Sequence, residues 1–185
     1  MKVFPITPNN AYKNNDLKEF LMKLCQIAIE NGALSANKID VSNIIFNNTP
    51  IDCPQDEQSF YYPQVIYKKD PIQKILKTFH WAVVFIIDRK LNLKKVYEVT
   101  AKIESNCFYK NYHLAVGLAA GNCRKVFCST KNSCQAMTKG KGCAFPMIAR
   151  PSVEACGIDL ISLAQESNIP EYIQDDHLLG MVFVD

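Results

Sequence analysis

Hydrophobic positions mark out a series of helices alternating with buried strands. Asn14, Asn15 and Asp16 offer caps for a helix over 17–30, in which Leu17, Phe20, Leu21, Leu24 and Ala28 share one face and Gly32 supplies the stop. Loose alternation over 39–46 predicts a strand. The stretch 47–64, with three prolines and an Asn-Asn pair, reads as a long connection. Pro71 suits the first position of a short helix over 72–79. The apolar run 80–87 fits a strand buried on both faces. Val96, Val99, Ile103 and Cys107 recur at helical steps, predicting a helix over 93–109. The small apolar run 113–120 reads as a central strand. Residues 122–150 show no clear period. Asp159 caps a helix ending near Asn168, and 179–184 reads as a closing strand. This order predicts an α/β or α+β fold. It would be a single domain over 1–185, a layered sandwich with a mixed sheet flanked by helices and a cysteine-rich loop. That loop leaves the strand ending at Ala120, and open α/β sheets favour ligand sites at strand carboxyl ends.

Composition narrows the chemistry. The chain has 185 residues, 48% hydrophobic and 21% charged, which excludes an intrinsically disordered chain. A formal charge of +3 gives no argument for nucleic acid. The longest apolar run, 81–87, is far short of the ~20 residues of a membrane helix. The first ten residues lack a signal-peptide pattern, so the expected compartment is the cytoplasm. Thiols stay reduced there, and the eight cysteines are expected to serve metal or redox chemistry rather than disulfides.

Four of them, Cys123, Cys128, Cys134 and Cys143, fall within 21 residues as Cys-x4-Cys-x5-Cys-x8-Cys. Four thiolates complete the ligand set of a tetrahedral zinc or a [4Fe–4S] cluster. The spacing matches neither zinc-ribbon knuckles nor bacterial ferredoxins, so it points to a metal without choosing one. Residues 121–150 also hold six cations and no Asp or Glu. Cations favour thiolates, and the excess positive charge suits a small anionic ligand or a redox partner protein. Cys25 and Cys107 sit on apolar helix faces and read as core packing. His80, His113 and His177 stand at strand entrances with no catalytic spacing to a cysteine, and no phosphate loop, nucleophile elbow or dinucleotide fingerprint is present.

The segments 119–124, 126–128, 142–146 and 149–159, the last reading Ala-Arg-Pro-Ser-Val-Glu-Ala-Cys-Gly-Ile-Asp, resemble the predicted metal-binding proteins of domain-of-unknown-function family 2284. The resemblance is good over 79–185 and loose over the diverged half 1–78. It implies metal binding by the four cysteines, with an iron–sulfur centre as one form. It carries no established reaction, so whether the chain is an enzyme stays open. A zinc-stabilised interaction module is the alternative. Members of that family often carry a second cysteine group, of which only Cys53 would remain here. Within the Arg-Pro-Ser-x-Glu turn, Arg150 and Glu154 are spaced to pair, and Ser152 to cap. These three would brace the cysteine loop, with Cys156 as a packed neighbour or a further thiol.

Overall fold

The computed structural model describes residues 14–46, 72–91, 93–128, 142–169, 172 and 176–184. Its elements are α1 (Asn14–Glu30), β1 (Ser35–Asp40), α2 (Ile72–Leu76), β2 (Trp81–Asp88), α3 (Leu93–Tyr109), β3 (Val116–Ala119), α4 (Cys123–Phe127), α5 (Leu160–Glu166) and β4 (His177–Val184). Leu21, Leu24 and Ala28 on α1, and Val96, Val99, Ile103 and Cys107 on α3, form the buried stripes that their spacing predicts. Both helices stop where expected.

The sheet order is β1-β2-β4-β3. All three ladders are antiparallel, so the mixed sheet expected from the sequence is corrected. The reason is β4. It enters between β2 and β3 and pairs antiparallel with each. β2 and β3 therefore run the same way, joined through α3, but never touch; a split β-α-β unit results. Among the described residues the one parallel contact is an isolated bridge from Ala119 to Ser152.

β2 is buried on both faces, as its apolar run predicts. On one face Val83, Phe85 and Ile87 pack with α1 and α3. On the other, Ala82, Val84 and Ile86 pack with Leu76, Val153, Ile158, Leu163 and Ile169. The molecule is thus a helix–sheet–helix sandwich. Among the described residues no helix is long and apolar enough to cross a membrane.

Some boundaries move for local reasons. The first strand lies at Ser35–Asp40 rather than over 39–46: it starts four residues earlier and ends at Asp40. There the Asp40 carboxylate accepts the Ser42 N–H and O–H, at 2.9 and 2.6 Å, and turns the chain into a 3-10 turn at Val41–Asn43. Asp159 caps α5 by accepting the Ser162 N–H at 2.7 Å.

Candidate metal centre at the end of β3

β3 delivers the chain to the cysteine segment. Three backbone contacts fix its end: Ala119 N–H to Pro151 O at 3.0 Å, Ala120 N–H to Leu179 O at 2.7 Å, and Gly121 N–H to the Glu154 carboxylate at 3.2 Å. Asn122 then caps α4 by accepting the Arg124 N–H at 2.8 Å. This short helix lies inside the stretch where no period was visible. Five residues are too few to show one, and the Asn cap was its only signal.

Cys123 opens α4 and is buried, while Cys128 caps its other end and is half-buried. Cys143, also half-buried, packs on the same apolar face as Cys123, against the α1 and α3 side of the sheet. The Phe127 and Phe145 rings lie 5.5 Å apart, which brings the two arms of the cysteine segment together. Phe145 N–H donates to Cys143 Sγ at 3.3 Å, the kind of bond that tunes a ligating sulfur. Cys134 and Cys53 lie outside the described residues.

Two side chains on α3 support this end of the sheet. Tyr97 O–H donates to Gly121 O at 3.1 Å, and its ring meets Phe127 edge-on at 5.2 Å. Burial, with Cys123 and Glu154 nearby, pushes the Tyr97 hydroxyl well above the usual tyrosine range, so it stays a neutral donor. Glu104, two turns further along, accepts the Gly117 N–H at 2.6 Å. Gly117 leaves room for that approach, since a Cβ there would collide with Thr100 and Glu104. Neither Glu104 nor Tyr97 is among the site residues expected from the sequence. Their seven-residue spacing puts them on one helix face, and that was the available signal.

Arg150 does not pair with Glu154. Its Nε donates to the Glu104 carboxylate. The i,i+4 expectation fails because the chain is not helical at 150–153; the 3-10 turn begins at Glu154. The segment instead lies along the end of β3 through the Ala119–Ser152 bridge. Arg150 also donates to the carbonyls of Met147, at 3.2 Å, and Ala149, at 2.9 Å, and so clamps the turn that follows Cys143. Ser152 O–H donates to Glu154 at 2.6 Å, while Ser152 Oγ accepts the Ala155 N–H. Cys107 and Cys156 are core residues, and burial pushes both thiols up to about 12.

The sequence model of a family described as predicted metal-binding proteins, domain-of-unknown-function family 2284, matches residues 32–184. The chain belongs to this family. No curated protein and no solved structure matches it. For a member of a predicted metal-binding family, the test is whether the donors present suit a metal. In chemistry they do: Cys123, Cys128 and Cys143 are thiols, none of them in a disulfide. In assembly the described part is incomplete. Among the described residues no three Cys, His, Asp or Glu side chains form a metal-holding group.

Proposed function

We propose that the protein holds one [4Fe–4S] cluster on Cys123, Cys128, Cys134 and Cys143. Such a centre supplies one-electron chemistry, for redox exchange, sensing or partner-assisted reaction. The observation that carries the reading is the placement of Cys123 and Cys128 at the two ends of one short helix. Five residues of helix separate them by ~7.5 Å along the axis and turn them ~140° apart. A single zinc needs its sulfurs ~3.8 Å from one another, given a zinc–sulfur bond of ~2.3 Å. In a cluster each thiolate bonds a different iron, which suits more widely set sulfurs. The six cations at 121–150 offset the negative charge of a four-thiolate centre. Glu154 and Tyr97 hold the start of the loop, and Arg150 holds its return. A reducing cytoplasm would keep the thiols available.

The test is the metal itself. Anaerobically purified protein should contain about four iron and four acid-labile sulfide per chain. Cys128→Ser should lose most of that metal, and Cys25→Ser should keep it. One zinc per chain without sulfide would replace the cluster by a structural zinc. Equal retention in the two variants would remove the ligand assignment.

A further inference from the structure

Each arm of the cysteine segment brings one thiol and one aromatic ring. On α4, Phe127 stands four residues after Cys123, which sets both on one side of the helix. On the return, Phe145 stands two residues after Cys143, and its N–H donates to the Cys143 sulfur at 3.3 Å. The Phe145 carbonyl accepts the Ile148 N–H at 3.2 Å and the Ala149 N–H at 2.8 Å, so the backbone that carries this ring is held in place.

The rings meet in a row. Phe127 lies 5.2 Å from Tyr97 and 5.5 Å from Phe145. Both spacings fall in the range of aromatic contact, ~4.5–7 Å. Phe127, Cys143 and Ile148 pack against the buried cluster that contains Tyr97 and Cys123. Two candidate ligands, one from each arm, thus share an apolar layer with three rings. The row runs outward from the core: Tyr97 is enclosed, Phe127 is half-buried, and Phe145, among the described residues, is 37% exposed.

The Tyr97 hydroxyl is engaged at Gly121 O. The Phe127 and Phe145 side chains carry no polar group, so they act only by packing and by excluding water. A thiolate–metal bond exchanges when water, a proton or a competing ligand reaches it, and the apolar shell around a centre controls that access. We propose that Tyr97, Phe127 and Phe145 form an aromatic wall that keeps water from the Cys123 and Cys143 sulfurs and slows ligand exchange there. The wall presupposes the metal centre proposed above but not the choice of metal. Phe145 is its outermost ring, where a substitution opens the wall with the least loss of core packing.

Two rates test this, one without metal and one with it. In the metal-free folded chain, iodoacetamide labels Cys143 and Cys128, and peptide mass spectrometry reads their ratio. Phe145→Ala should raise the Cys143 rate relative to Cys128 about tenfold, the low end of what altering a metal's surroundings does. In the loaded chain, kept anaerobic, release of metal to EDTA should quicken by a similar factor. Phe127→Leu should act the same way, and Phe145→Tyr, which keeps the ring, should keep both original rates. Phe79→Leu is the control. That ring meets Phe183 at 5.7 Å on the opposite face of the sheet, so its loss lowers stability without touching the wall. Urea midpoints confirm that each variant is folded. Unchanged rates in Phe145→Ala and Phe127→Leu overturn the proposal. So does Phe79→Leu quickening both rates as much, because general loosening would then explain them. Zinc in place of iron and sulfide would overturn the cluster and leave both rates to decide the wall, whereas a chain that takes up no metal would overturn both.

Discussion

Burial divides the cysteines. Cys107 and Cys156 are enclosed, and their thiols are pushed up to about 12. Cys25 is half-buried and pushed up to about 11, against a lowering influence from Lys38. Desolvation disfavours the thiolate in all three, so they are poor nucleophiles and poor ligands. Cys128 and Cys143 are half-buried. In metal-free folded protein at neutral pH, iodoacetamide should therefore modify Cys128 and Cys143, while Cys107 and Cys156 stay unmodified; peptide mass spectrometry checks the order. The Cys25 rate should keep rising tenfold per pH unit above the ordinary value of 9, towards about 11. The sign for stability follows. These thiols keep their protons in the folded chain at pH values where an unfolded chain loses them. Stability should be insensitive to them below 9 and should fall above it, by ~1.4 kcal/mol per unit and thiol. A plateau in the Cys25 rate at 9 would contradict the burial assignment. This division was legible in the sequence for Cys25 and Cys107, because each lies on a periodic helix face. It was not legible for Cys156, whose turn has no period to read.

At the scale of elements, one ion pair ties three pieces of chain. Glu104 on α3 receives the β3 backbone at Gly117 and the Arg150 guanidinium, and Arg150 carries the 147–149 carbonyls. Both side chains are only 13% exposed. Arg150→Met would leave the carboxylate mostly buried without its cation. The expected loss is ~3 kcal/mol, as for other broken buried pairs. Glu104→Gln keeps an acceptor for Gly117 and should cost less. The double variant should cost less than the sum of the two, because the pair acts as a unit. Urea unfolding measures all three, and a loss below ~0.5 kcal/mol for Arg150→Met would place the pair with ordinary surface ion pairs. The sequence shows both residues but not their meeting. They stand 46 positions apart, and sequence spacing speaks only for neighbours within an element. The nearer residue, Glu154, lies one helical turn from Arg150 only if the chain is helical from Arg150 onward, and the 3-10 turn begins at Glu154.

For the whole molecule, β2, β3 and β4 were legible, β1 was expected four residues too late, and the strand order was not legible. Alternation and apolar runs identify β2 and β4, since burial on both faces leaves a local imprint. Pairing is non-local, and nothing in the run at 177–184 says that it enters between β2 and β3. That insertion makes β4 the element on which the architecture depends. It pairs with all eight residues of β2 and with all four of β3. β3 reaches the rest of the sheet only through β4, and β3 in turn delivers the cysteine segment. A chain ending at Asp176 would lose both ladders at once. It would also lose Leu179, Met181 and Phe183 from one core face and Leu178, Val182 and Val184 from the other. Burying one such side chain contributes ~1.5–3 kcal/mol, while a domain's net stability is only ~5–15 kcal/mol. The shortened chain should therefore show no cooperative urea transition and no near-ultraviolet circular dichroism. Its metal content should fall with its structure, although all four candidate ligands remain. A cooperative transition with an unchanged denaturant slope would mean that the other three strands form a stable unit without β4, and the sheet order would then have to carry less of the fold than its ladders indicate.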